Sequence, residues 1–219
     1  MNTPRVLVLG THNHKKGEEL SELLSPHGFQ LHTLADFPNA MEVVEDANTF
    51  AGNAERKAIQ QAVHLNRWVL GEDSGLSVDA LGGKPGVFSA RYSGASATDE
   101  SNNRFLLEQL GGTALKNRTA FYTCHLALSD PTGVPRIHCE SYCRGRIRFQ
   151  PAGSAGFGYD PLFEVTEYHR TFGQLGPAVK SVLSHRARAI RQFVPQLLNL
   201  ACSGAWDEFS GAKDQARPR

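Results

Sequence analysis

Two adjacent carboxylates, Glu72 and Asp73, follow the apolar run Trp68-Val69-Leu70 and precede Ser74-Gly75. Just past a strand in an open α/β sheet, a carboxylate faces the ligand crevice and is well placed to hold Mg²⁺. Successive side chains of an extended chain point to opposite faces, so Glu72 and Asp73 should not share one task. Taken alone, the segment reads slightly better as a surface turn, because Asp-Ser-Gly is ordinary turn chemistry.

Other segments add chemistry of a matching kind. Thr11-His12-Asn13-His14-Lys15-Lys16 lies after the first apolar run and before a helical pattern, where unpaired helix N–H groups attract phosphate. Thr11 and Asn13 supply neutral donors there and Lys16 a charge, although the glycine spacings of a Walker or dinucleotide loop are missing. Phe157 stands between glycines in Gly156-Phe157-Gly158-Tyr159-Asp160-Pro161, as a base-stacking ring or as one core ring in a turn. Lys180, His185 and Arg186 collect around the start of the last helix, an end that disfavours cations unless an anion is bound. Glu45, just before Thr49-Phe50, can approach a metal held by Asp73; by itself it is an ordinary exposed glutamate.

The elements that must position these groups are legible as patterns. Arg5 to Leu9 reads as a buried strand, Leu20, Leu23 and Leu24 as a helix ended by Pro26 and Gly28, and Phe29 to Leu34 as a second strand. Thr49 to Asn66 is a helix with Ala54, Ala58 and Ala62 on its apolar side and Glu55, Arg56, Lys57, Gln60 and Gln61 on its polar side. Trp68 to Leu70 is the next strand, Asp99 to Leu110 a helix, and Ser184 to Leu200 the last helix with Ser184 as N-cap. Arg118 to Leu128 and Val134 to Phe149 flank Asp130-Pro131-Thr132-Gly133 as a long hairpin. Helices interleaved with strands plus one hairpin give an α/β protein with a mixed sheet and flanking helices.

The chain of 219 residues, 40% hydrophobic with a formal charge of +1, excludes a disordered or fibrous class and gives no electrostatic reason to expect nucleic acid. No apolar run suits a membrane span, and four cysteines without a C-x-x-C pair suit free thiols in a reducing, cytoplasmic setting. Residues 1–202 read as one domain and 203–219 as a frayed tail.

The segments Thr11 to Lys16, Glu45 with Thr49-Phe50 and Asn53-Ala54, Glu72 to Leu81, Pro85 to Tyr92, Gly156 to Phe163, and Lys180-Ser181 with Ser184-His185-Arg186 occur in one order. That ordered set resembles the inosine triphosphate pyrophosphatase, or Ham1-like, family. The resemblance implies Mg²⁺-dependent hydrolysis of ITP, dITP and XTP to monophosphate and pyrophosphate, by a homodimer whose protomer has two lobes around a nucleotide cleft. It further implies that Lys16 and Lys180 bind phosphates with the Thr11 to Lys16 loop, and that Asp73 is a metal ligand or base. Glu45 would be the second metal carboxylate and Glu72 a third. His185 and Arg186 would read the base, Phe157 would stack on it, and Ser74, Gly158, Tyr159 and Asp160 would lie near the nucleotide. Gly52 stands where many members have glutamate, which puts the surroundings of the metal in question. A related pyrophosphatase for modified pyrimidine triphosphates, of the Maf-like kind, and a non-catalytic nucleotide sensor are the alternatives.

Overall fold

The computed structural model describes residues 5–209. Their seven strands form one sheet in the order β2-β1-β3-β4-β5-β6-β7. β1 (Val6–Leu9), β2 (Gln30–Thr33) and the start of β3 (Val69–Val78) are parallel. β3, β4 (Thr119–Ser129), β5 (Pro135–Ile147), β6 (Phe163–Val165) and β7 (Arg170–Thr171) then run antiparallel. The expected mixed α/β sheet is the one observed.

β3 departs from its sequence reading. The strand does not stop at Leu70 but continues through the acidic pair to Val78, because β4 pairs with it along its whole length. β1 accompanies it only to Leu9, opposite Leu70. Glu72 and Asp73 therefore lie in mid-strand, beside the loop that leaves the carboxyl end of β1. Polar side chains made the segment look like a turn; two-sided burial makes it a strand.

Two apolar cores lie in series on one face of β3 and β4. The first gathers Leu7, Leu20, Leu24, Leu70, Leu126 and Phe193 under α1 (His14–Leu24) and α5 (His185–Cys202). The second gathers Leu76, Leu106, Leu110, Tyr122, Phe163 and Phe172, with α3 (Asp99–Leu110) and α4 (Phe172–Leu183). Along this face β3 reads Leu70, Glu72, Ser74, Leu76, by the two-residue period of a strand. The polar pair fills the gap between the cores, and the cleft between the two lobes opens there.

On the opposite face lies α2 (Phe50–Leu65), capped by Thr49, whose side chain accepts from the Gly52 N–H, and closed by Asn66 at φ 52°. Its stripe Ala54, Ala58 and Ala62 is fully buried. At Gly71 of β3 a Cβ would collide with the Ala54 carbonyl and the Ala58 N–H, so the helix lies directly on the strand backbone. Lys57 and Gln61 were expected on a polar face, yet both are buried with Asn53, at i, i+4 and i+8. That row borders the alanine stripe and faces Asp73.

α4 was not visible as a helix from sequence. It is broken at Gly176, φ 77°, ahead of Pro177, and this Gly-Pro pair hides two short helical pieces. The tail expected from 203 onwards does not begin there: Trp206 is buried and stacks on Trp68 with centroids 4.4 Å apart. One ring closing the first core contributes about 2–3 kcal/mol, which an average over a polar segment conceals. The remainder of that expected tail lies outside the described residues. No helix of the described residues is long and apolar enough to cross a membrane.

Candidate active site

The two carboxylates part as the strand period requires. Asp73 turns toward α2, where Oδ1 lies 3.2 Å from Lys57 Nζ and Oδ2 accepts from Asn53 Nδ2 at 3.1 Å. Lys57 also reaches Glu45 Oε2 at 3.1 Å. Glu72 turns to the other face, where Oε2 meets Lys16 Nζ at 3.0 Å and Oε1 meets Arg186 Nη2 at 2.9 Å.

Burial pushes Asp73 above the ordinary aspartate value, against the pull of Lys57 and Lys16 and with the help of Glu72 and Glu45. Glu72 is fully buried, which alone would raise it, but Lys16, Arg186 and Lys57 hold it well below the carboxylate range. Lys57 is pulled down by burial and raised overall by Asp73, Glu72 and Glu45. The two neighbouring carboxylates are thus shifted in opposite directions, Asp73 by burial and Glu72 by its cations.

On the Glu72 face the charges form a chain. Arg186 is 1% exposed and binds Glu72, Glu19 and, at 3.1 Å, the Ser74 hydroxyl. Lys180 joins Glu19 at 2.7 Å and Asp160 at 2.6 Å. The cations expected to be strained at the start of α5 are therefore neutralised by internal carboxylates, and Lys180 itself sits in the last turn of α4, where a cation is favoured. Gly156, φ 79°, has no room for a Cβ beside the Asp160 carboxylate. That close approach lets Asp160 accept the Phe157 N–H at 2.9 Å and fixes the ring, over which Lys180 Nζ lies at 4.2 Å.

His185 stacks on Tyr122 with centroids 4.7 Å apart. Full burial, then the Arg186 and Lys180 charges, drive its basicity well below the usual imidazole value, so the ring is neutral. Its Nδ1 and the Nε of Arg186 are buried without a hydrogen-bond partner among the described residues. Both residues line a cavity of about 110 Å³ with Phe157, Tyr159, Asp160 and Lys180. A second cavity of about 170 Å³ is lined by Thr11, His12, Glu45, Lys57 and Asp73. Asn13, Lys16 and Ser74 line both, so the two are halves of one cleft.

Most of the anticipated residues meet here, and the exceptions are informative. Glu72 cannot serve as a metal ligand beside Asp73, since it faces the other side and is engaged by Lys16 and Arg186. His14 is exposed against Glu18, and Lys15 reaches Asp99 instead of the cleft floor. His12 contributes its Nε2 to the Met41 carbonyl at 3.2 Å, bracing the loop that carries Glu45. In Thr11 and Asn13 the side-chain oxygens act first as acceptors, from the N–H groups of Asn13 and Lys16, and so shape the loop and cap α1. Tyr159 lines the cleft while its hydroxyl donates to the Ser89 carbonyl at 2.9 Å. At Gly52 a Cβ would press on Ala47, so the glycine suits its surroundings.

Sequence reasoning missed Lys57 and Glu19. The i, i+4, i+8 row Asn53, Lys57, Gln61 was the available signal for the first. Glu19, next to Glu18 on α1, looked like any solvated glutamate.

Among the described residues no three or more His, Cys, Asp or Glu side chains are grouped to hold a metal. Asp73 and Glu45 both contact the one Lys57 ammonium, which brings two carboxylates to one positive charge. Such an oxygen pair suits Mg²⁺, which keeps waters and substrate oxygens as its other ligands.

Fold and cleft together define an α/β protein with a cleft of two connected spaces, one lined by Glu45, Lys57 and Asp73 and the other by Phe157, His185 and Arg186. The Ham1 family model matches residues 7–196, and the chain belongs to that family. It is 54% identical to the dITP/XTP pyrophosphatase of Rhodopirellula baltica, over 94% of this chain and 99% of that protein. With the dITP/XTP pyrophosphatase of Desulforamulus reducens it shares 46% identity over 88% and 95% of the two chains. A HAM1 protein from Coxiella burnetii superposes with a TM-score of 0.81 at 35% identity, covering 89% of this chain and 98% of that one. The nucleoside-triphosphatase, dITP/XTP pyrophosphatase from Mycobacterium abscessus gives 0.71 at 38% identity, with 88% and 99% covered.

Proposed function

We propose that the chain hydrolyses the non-standard purine nucleoside triphosphates ITP, dITP and XTP to monophosphate and pyrophosphate, with Mg²⁺, and so clears deaminated purines from the nucleotide pool. The observation that carries this reading is Asp73, buried beside Lys57 in a phosphate-sized space that shares Asn13, Lys16 and Ser74 with a ring-sized one.

Asp73 and Glu45 are the carboxylates that would hold Mg²⁺, which when bound supplies charge neutralisation and a water of lowered pKa. Lys16, at the joint of the two cavities, and Lys57 neutralise the phosphates, helped by the N–H groups at the start of α1. Lys180 flanks the base side, with its ammonium over the face of Phe157. Asp73 would accept the proton of the attacking water, with Asn53 and Lys57 fixing its two oxygens.

At the ring end, Arg186 Nε is a permanent donor and neutral His185 offers Nδ1–H in the matching tautomer. Hypoxanthine and xanthine present a 6-oxo acceptor to such donors, whereas adenine presents an amino group and leaves them unpaired. Unpaired buried groups can discriminate by ~10⁴ in sites built this way.

We also propose a cytoplasmic homodimer. Its support is an open cavity of about 820 Å³ on the α2 face of the sheet, lined in part by Phe88, Phe121 and Tyr142, with Phe88 and Tyr142 exposed. The described cysteines are all free, which suits a reducing compartment.

Pyrophosphate release measured on ITP, dITP, XTP, ATP, GTP and dUTP, with and without Mg²⁺, tests the activity. Release from the inosine and xanthosine nucleotides only with Mg²⁺ is expected. Preference for dUTP would move the chain to the pyrimidine class, and tight ITP binding without release would make it a sensor.

A further inference from the structure

Gly158, next to the Phe157 ring, is held by both of its backbone groups. Its N–H donates to Oδ2 of Asp99 at 3.0 Å, and its carbonyl accepts from Nδ2 of Asn103 at 2.9 Å. Asp99 and Asn103 stand at i and i+4 of α3, one above the other on one face. The same Asp99 oxygen meets Lys15 Nζ, from the first turn of α1, at 3.3 Å. α1 packs in the first core and α3 in the second, so this ion pair crosses the mouth of the cleft. Lys15 Nζ also lies 5.7 Å from the centroid of the Phe157 ring.

We propose that Asp99 is a positioning residue for base discrimination. Through Gly158 it fixes the height of the Phe157 ring, and through Lys15 it fixes the distance between that ring and the helix that follows the phosphate loop. The inference rests on the nucleotide reading above. A recognition site discriminates only when its groups are held to within about 0.5 Å, and a ring free to shift lets an unpaired adenine settle in. Asp99 lines the ring cavity but makes no hydrogen bond or ion pair with Arg186 or His185, and its contacts are to the loop that carries Phe157 and to Lys15.

The two contacts are separable by substitution. Asp99→Asn keeps an acceptor for the Gly158 N–H and loses the charge opposite Lys15; Asp99→Ala loses both. Exposed ion pairs are weak and screened by salt, so Asp99→Asn and Lys15→Gln should each raise KM for ITP about threefold, an effect that vanishes at high salt. In both, kcat and the ITP over ATP ratio stay at wild-type values. Asp99→Ala should raise KM for ITP and lower the ITP over ATP ratio, each by about tenfold, with kcat within about twofold, as loss of a positioning hydrogen bond predicts. Glu100→Ala is the control: it removes an exposed carboxylate from the same first helical turn, without a contact to Gly158, and should leave all three quantities unchanged.

Wild-type KM and ratio in Asp99→Ala would overturn the inference. So would a fall in kcat and melting temperature shared by Asp99→Ala and Glu100→Ala with the ratio intact, since that marks a helix-stabilising role. A wild-type protein that releases pyrophosphate from no triphosphate overturns the functional reading and this inference with it. An active wild type with unaffected variants overturns this inference alone.

Discussion

The two faces of β3 at its acidic pair are built to opposite ends. On the Glu72 face, carboxylates and cations alternate from Lys16 through Glu72, Arg186, Glu19 and Lys180 to Asp160, and each charge has an opposite partner. On the Asp73 face, one ammonium, Lys57, serves two carboxylates, and burial raises Asp73 as it raises Asp160 on the other face. The first face is a chain of alternating charges between two cores, whereas the second leaves two carboxylates to one cation. The lesson is that neighbouring residues of one strand, alike in charge and burial, are divided between architecture and chemistry by the strand period alone.

The sharpest way to break this comparison is to neutralise each carboxylate in turn. Asp73→Asn should lower the rate of pyrophosphate release by about 10²–10⁴-fold, the range for loss of a positioned base, while circular dichroism and the melting temperature stay near wild type. Asparagine still accepts from Lys57, and Glu45 remains to balance its charge. Turnover at the wild-type rate would remove Asp73 from the mechanism.

Glu72→Gln should instead act on stability. It leaves Lys16 and Arg186 without their shared anion, and breaking a buried pair costs about 3–5 kcal/mol. In a chain of this length that is a fall of roughly 10 °C in melting temperature. A melting temperature unchanged in Glu72→Gln but depressed in Asp73→Asn would invert the assignment of the two faces.

Arg186 belongs to the network and also ends in the ring cavity, so its removal tests both at once. Arg186→Ala should lower the ITP over ATP ratio of kcat/KM by about tenfold, the worth of one lost recognition hydrogen bond, whereas Lys16→Ala should lower both substrates together. Taking the ratio within each variant cancels any loss of folded protein. Equal ratios in the two variants would end the base-reading role of Arg186.

How much of this was legible beforehand follows from which signals are local. α2 and α3 are periodic, the hairpin is bounded by Asp130-Pro131-Thr132-Gly133, and the opposite aims of Glu72 and Asp73 follow from the strand period. The extent of β3 was not legible, because its polar middle is a strand only by virtue of β4, fifty residues away along the chain. Lys57 escaped notice for a related reason. A lysine beside an alanine stripe looks solvated until the glycine at 71 brings the helix down onto the strand. Glu19 becomes functional only when α4 and α5 deliver Lys180 and Arg186 to it. Patterns within one element were readable, while pairings between distant elements were not.

Each face also carries a histidine, and their pH responses give the smallest and finest test. His185, on the Glu72 face, is lowered well below the usual imidazole value by burial and then by Arg186 and Lys180. His125 is the cross-strand partner of Asp73; burial lowers it too, but Glu140 at 3.7 Å pulls it back. Both depressions act in the same direction. Below about pH 6.5 the unfolded chain takes up a proton that the folded ring refuses, so stability present above that pH is lost as pH falls, by up to about 1.4 kcal/mol per pH unit for each ring. In that window Glu72 stays charged, since its own loss begins only below the ordinary glutamate value. Urea unfolding between pH 7 and 5 should therefore show a slope that His185→Gln reduces strongly and His125→Gln only slightly. On the Glu72 face two cations add to burial in excluding the proton, while on the other face an adjacent glutamate partly offsets burial. Equal reductions in the two variants would mean that burial alone sets the response, and the contrast in wiring between the faces would not extend to their histidines.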